Sequence, residues 1–147
     1  MVKKLLIGSL LLFLAVPAAG QVRVIDGGMH HLRNGAEREW AAFPERAEGA
    51  DLTLNFQAAA NEGVQTLRLR QEDVKQSWRV SLNGQELGDL HLDENHTAAY
   101  YGVPAGALRE GENTFRIEPR SRVPDDIGVG QVSLFPGAPE DVLSQAT

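Results

Sequence analysis

The side chains that could do chemistry in this chain are few, and most are placed where simple geometry limits them. His30 and His31 are adjacent. On an extended strand, neighbours point to opposite faces, so the two rings cannot share one metal ion. The plainer expectation is one ring toward solvent and one toward a neighbouring strand. His91 and His96 lie close in sequence to Asp89, Asp93 and Glu94, the densest group of potential ligands. Hard oxygens there would suit calcium, which takes roughly six to eight of them; a solvated acidic loop accounts for the same residues. Asp125-Asp126 is a second acidic pair, of the kind that shapes turns through side-chain hydrogen bonds to the backbone. Nucleophilic catalysis finds little support. No Gly-x-Ser-x-Gly is present, and Ser77, Ser81, Ser121, Ser133 and Ser144 stand in no elbow-like setting. Gly27-Gly28 does not make a phosphate loop. Paired carboxylates for glycoside cleavage need a cleft, which a short sandwich without large loops does not offer.

These residue types do not identify a ligand, and sugar recognition is one chemistry to weigh. It uses aromatic faces for the apolar side of a ring and Arg, Asn, Asp or Glu for the hydroxyls. The available aromatics are Trp40, Tyr100 and Tyr101. Trp78 shares a face with Val80 and Leu82 and belongs to the core. Tyr100 and Tyr101 point opposite ways if extended, which leaves one of them exposed. Arg68, Arg70 and Arg79 fall on polar strand faces, where they would line a concave surface or simply face solvent.

Composition narrows the classes further. The 147 residues carry 14 Lys plus Arg against 20 Asp plus Glu, a formal net charge of −6. That balance disfavours a nucleic-acid binder, which needs a basic face to neutralise phosphates. The absence of cysteine rules out a disulfide scaffold, a thiol nucleophile and Cys-ligated metal. Residues 1–20 have the three parts of a secretory signal: Lys3 and Lys4, the apolar run Leu5 to Val16, and the small residues Ala18-Ala19-Gly20, with cleavage expected before Gln21. The run is shorter than the ~20 residues that span hydrocarbon. The expected product is therefore secreted or periplasmic, bacterial, and free of the membrane once the signal is removed.

The elements that must position these residues are strands. Leu52, Leu54 and Phe56 alternate with polar residues, as do Leu67 and Leu69, and again Trp78, Val80 and Leu82. Asn83-Gly84 is a strong signal for a tight hairpin turn between Trp78–Leu82 and Gln85–Leu90. Tyr100 to Pro104 reads as extended, Ala105 to Leu108 as one helical turn stopped by Gly111, and Thr114 to Glu118 as a further strand. Val129 to Phe135 is the last strand, with Val132 and Leu134 facing the core. Glu37 to Phe43 reads as extended, because Pro44 disfavours a helix there. Roughly seven or eight short strands joined by Gly, Asn, Asp and Pro clusters predict an all-β, antiparallel β-sandwich. Residues 21–136 would form it, and 137–147 read as a linker or disordered tail.

The run Trp78-x-Val80-x-Leu82-Asn83-Gly84-x-x-Leu87-Gly88 resembles the central hairpin of galactose-binding-like jelly-roll domains. Tyr101-x-Val103-Pro104-x-x-x-Leu108-x-x-Gly111-Glu112-Asn113-x-Phe115-x-Ile117 resembles the segment that follows it. Asp125-Asp126-Ile127 with Val132-x-Leu134 resembles the closing strand, which pairs back near the start. The resemblance covers roughly residues 50–135 and is similar to carbohydrate-binding and accessory modules of secreted hydrolases. It implies a non-catalytic module whose partner is a carbohydrate or an adjacent catalytic domain, and no cofactor beyond a structural calcium at Asp125 and Asp126. A weaker resemblance points to the purely structural sandwich that precedes the catalytic domain of some exported metal-dependent hydrolases.

Overall fold

The computed structural model describes residues 20–146. The signal-peptide reading of residues 1–20 lies, but for Gly20, outside the described residues. Eight strands follow one another: β1 Arg23–Asn34, β2 Leu52–Ala58, β3 Gln65–Glu72, β4 Trp78–Leu82, β5 Gln85–Asp89, β6 Thr97–Val103, β7 Gly111–Pro119 and β8 Asp125–Pro136. They form two four-stranded antiparallel sheets, the first in the order β1-β8-β3-β6 and the second in the order β2-β7-β4-β5. Strand pairs nest: β1 with β8, β2 with β7, β3 with β6, β4 with β5. That nesting is a hairpin wrapped on itself, a jelly roll, as the sequence predicts.

Alternation explains the packing. In each strand every second residue turns inward, and the inward sets of both sheets meet in one core. Leu67 and Leu69 from β3, Trp78, Val80 and Leu82 from β4, Phe115 and Ile117 from β7, and Val129 and Val132 from β8 are fully buried. The turn at the centre of the wrapped hairpin is Asn83-Gly84, with φ of 50° and 78°. Positive φ at both positions is the left-handed geometry that a two-residue hairpin loop demands, and Asn-Gly adopts it at least cost. β1 and β8 carry register shifts between Val24 and Met29. There the two backbones approach so closely that a side chain at Gly130 would run into the Gly28 carbonyl.

Three local expectations are corrected. Glu37 to Phe43 is not a strand. It lies in the irregular connection 35–51 and turns back on itself, with the Phe43 N–H donating to the Trp40 carbonyl at 3.1 Å. Ala105 to Leu108 is a tight turn, closed by the Ala107 N–H on the Pro104 carbonyl, with Gly106 at φ 78°. The tail is not featureless: Pro139–Ser144 forms one short helix, α1, whose Val142 is buried. Pro139 opens it, where a missing N–H costs nothing, and Glu140 and Asp141 sit in its first turn, where acids favour the helix dipole. Among the described residues no helix is long and apolar enough to cross a membrane.

Gly130→Ala is expected to destabilise the sandwich by about 1–3 kcal/mol, the usual cost of overpacking. Gly63→Ala, with open space around it, is expected to change stability by less than about 0.5 kcal/mol. Urea unfolding of the two variants checks the contrast.

Candidate functional site

Register decides which of the candidate residues can meet. Across the first sheet, Val24 of β1 lies opposite Ser133 of β8, Ser133 opposite Arg68 of β3, and Arg68 opposite Tyr100 of β6. Directly paired residues share a face, so these four form one row on the outer surface. Arg68 Nε donates to the Tyr100 hydroxyl at 3.3 Å, and its guanidinium carbon stands 6.0 Å from the ring centroid. Beside the pair, Phe135, Val142, Gln145 and Ala146 complete the walls of an open groove. α1 reaches this face because the Gly137 carbonyl accepts from Thr66 Oγ1 at 2.8 Å and Gly137 takes φ 89°. Arg70 lies on the same face, opposite Ala98 and Gly130. Among the described residues, no carboxylate lies within ion-pair distance of Arg68 or Arg70. Phe135 and α1 were missed by the sequence reading. The signal for Phe135 was present: with Val132 and Leu134 inward, Ser133 and Phe135 must face outward.

The other candidates go elsewhere. Arg79 does not lie beside Arg68 and Arg70. It is on β4 in the second sheet, and its outer face is already neutralised: Arg79 meets Glu118 at 3.4 Å and Glu86 at 3.8 Å, Arg116 meets Asp51 at 2.8 Å, and Arg120 meets Asp89 at 2.6 Å and also Glu86. Tyr101 is not a surface aromatic. It is 6% exposed, it points inward, and its hydroxyl donates to the Asp89 carbonyl at 2.9 Å. Burial, with Asp89 nearby, pushes its phenol well above the usual range. Trp40 is 65% exposed on the 35–51 connection, away from the Arg68–Tyr100 row in the sheet. Trp78 is core, as expected.

Asp125 and Asp126 do not shape a turn; they open β8. Both are fully buried, and donors from several elements converge on them. Asp126 Oδ1 accepts from Arg33 Nε and His31 Nε2, each at 2.7 Å, and its Oδ2 accepts from the Glu39 N–H at 2.8 Å. Asp125 Oδ2 accepts from Trp78 Nε1 at 2.8 Å and from the N–H groups of Gln76 and Lys75 at 3.0 and 3.3 Å. Lys75 Nζ lies 3.2 Å from Asp125 Oδ1 and 3.0 Å from Glu39 Oε2. Ammonium, guanidinium and N–H groups surround the two carboxylates, and Asp125 Oδ1 alone of their four oxygens lacks a hydrogen bond. Burial raises the carboxyl pKa of Asp126, but the Glu39 N–H, Arg33 and His31 outweigh it and the net shift is downward. Burial likewise lowers the pKa of Lys75, and the bonds from Glu39 and Asp125 more than reverse it.

The His91–His96 stretch does not converge either. His96 pairs with Glu72 at 3.1 Å, Asp93 Oδ1 accepts from Asn95, and His91 packs 6.4 Å from the Tyr101 ring. Among the described residues no three His, Asp or Glu side chains are grouped to hold a metal ion. His30 and His31 do point opposite ways, but neither is merely solvated. His30 lies between Asp26 and Glu48, while His31 holds Asp126 and stacks on Phe43 at 5.3 Å.

Asp126→Asn leaves Arg33 and His31 facing a neutral group in the interior and is expected to cost about 3–5 kcal/mol in urea unfolding. Because the folded pKa of Asp126 lies below its ordinary value of 3.8, its contribution is complete above that value. It is lost as the pH falls through the folded pKa. The variant is therefore expected to show a shallower loss of stability in acid.

No family model matches the chain, and no curated protein is significantly similar to it. Among solved structures, a family 35 carbohydrate binding module from Clostridium thermocellum is similar to it. The TM-score is 0.50 at 12% identity, over 80% of this chain and 99% of that one. At that identity the likeness is one of fold: this chain is a jelly-roll β-sandwich of the kind that carbohydrate-binding modules use.

Proposed function

We propose that the protein is an exported, non-catalytic carbohydrate-binding module, accessory to a hydrolase domain, and that it binds glycan in the groove of Arg68, Tyr100 and Phe135. The observation that carries this reading is the pairing of a guanidinium with an aromatic hydroxyl at 3.3 Å beside apolar walls, on a stretch of sheet where neither Arg68 nor Arg70 has a carboxylate partner among the described residues. A sugar ring needs both characters at once. Its C–H face covers aromatic and aliphatic carbon, and its hydroxyls take the five N–H donors of an arginine fork. In a chain of net charge −6, unpaired Arg68 and Arg70 make this face locally positive, which favours glycans that carry a carboxylate or sulfate. The second sheet supports no such role, because its arginines are already matched by acids.

A glycan array probed with the protein, followed by calorimetry on the best ligand, tests the reading. Tyr100→Ala and Arg68→Ala are each expected to weaken binding by about tenfold or more, as truncation of a buried anchor does. Arg79→Ala is expected to leave affinity unchanged. Absence of any glycan signal, or equal affinity in all three variants, would overturn the assignment.

A further inference from the structure

The Lys75 ammonium stands inside a shell of oxygen atoms. Nζ lies 2.5 Å from the Asp73 carbonyl, 3.0 Å from Glu39 Oε2, and 3.2 Å from both Asp125 Oδ1 and the Asp126 carbonyl. Three stretches of chain supply these four oxygens: the connection after β3, the 35–51 connection and the start of β8. The Phe43 ring, its centroid 5.6 Å from Nζ, covers a further side. An ammonium has three N–H donors, fewer than the oxygens around it. Asp125 Oδ1 is the oxygen left without a hydrogen bond. It is fully buried and meets Nζ through charge alone. Charge is unevenly matched as well. Arg33 and His31 answer Asp126, so Asp125 and Glu39 bring two carboxylates to a single ammonium. Two carboxylates and two main-chain carbonyls around one centre are ligands that suit a hard divalent cation. The structural calcium that the resemblance implies at Asp125 and Asp126 would draw on these same oxygens, and Nζ already stands among them.

We propose that Lys75 is a built-in substitute for a structural cation: its ammonium fills the place an ion would take and joins the three stretches of chain without metal. A charge tethered to the chain need not be captured from solution, and neither dilution nor a chelator removes it. The place itself remains one that a cation fits. Shortening the Lys75 side chain keeps all four oxygens, leaves both carboxylates unanswered and opens room for an ion. Water would complete the roughly six to eight oxygens that calcium takes.

Thermal unfolding and calorimetric titration with calcium chloride test this on the purified protein. The wild-type midpoint is expected to differ by less than about 1 °C between about 10 mM calcium and excess EDTA. Lys75→Ala is expected to melt several degrees lower in EDTA and to be raised by about 4–8 °C in calcium, with a Kd of about 0.1–1 mM and a smaller response to magnesium. Lys75→Met keeps the stem and lacks the charge; it is expected to lose stability and gain no calcium response. If Lys75→Ala is unfolded in EDTA, calcium is expected to fold it, read by near-ultraviolet dichroism of the Trp78 core. A wild-type midpoint that follows calcium or falls in chelator would overturn the proposal. So would an alanine variant as stable as the wild type in EDTA, one on which calcium has no effect, or an equal calcium response in Lys75→Met.

Discussion

The two buried carboxylates at the start of β8 set the terms for the rest of the molecule. An isolated ionised side chain cannot be taken out of water at tolerable cost, so each must find its partners or the strand cannot sit where it does. Asp125 and Asp126 are adjacent and face opposite ways, and so they gather different elements. Asp125 ties the connection after β3, through Lys75 and Gln76, to the core indole of Trp78 on β4. Asp126 ties His31 and Arg33 of β1 to Glu39 of the 35–51 connection. One dipeptide thereby joins both sheets and two irregular connections. Partial formation would leave a charge unpaired in the interior, so the network favours the β1–β8 register in which Asp126 meets His31 and Arg33.

The same rule of charge pairing separates the two outer faces. On the second sheet, Arg79, Arg116 and Arg120 alternate with Asp51, Glu86, Asp89 and Glu118, so the field cancels within the face. On the first sheet, Arg68 and Arg70 stand beside Tyr100, Ala98 and Gly130 instead of acids. Exposed ion pairs add little to stability, so this asymmetry is not explained by folding. It does leave the donors of Arg68 and Arg70 available, and they stand on the part of the sheet that α1 converts from a flat surface into a groove.

Much of this was legible in the residues. Period-two alternation located the strands, and Asn83-Gly84 located the central turn, because both follow from backbone sterics that no tertiary contact overrides. The opposite facing of His30 and His31 follows from the same periodicity. Parity also held the answer for the tyrosines: Tyr101 keeps step with Val103, so Tyr101 is inward and Tyr100 outward. Sheet membership was not legible. Alternation says which face of a strand a side chain takes, not which sheet the strand joins, and so Arg79 was grouped with Arg68 across a boundary that only the wrapped topology reveals. Asp125 and Asp126 read as turn formers or calcium ligands because their partners lie 47 to 50 and 87 to 95 residues away in the chain, respectively. No local pattern announces a pairing of that separation. α1 is shorter than two turns and offers no hydrophobic period, although Pro139 and its acidic first turn mark the start.

The carboxylate hub and the groove lie at opposite ends of one strand. β8 starts at Asp125 and runs 12 residues to Pro136, with Phe135 at the groove, a span of about 35–40 Å at the usual strand rise. Between them the strand is interrupted: Gln131 takes φ 47°, and the β3 pairing slips between Arg68 and Arg70. A bulge of this kind bends the strand, increases its local twist and re-aims the side chains beyond it. The separation lets one end of the sandwich carry a dense, unforgiving charge network while the other keeps an open surface whose side chains are free to meet a ligand.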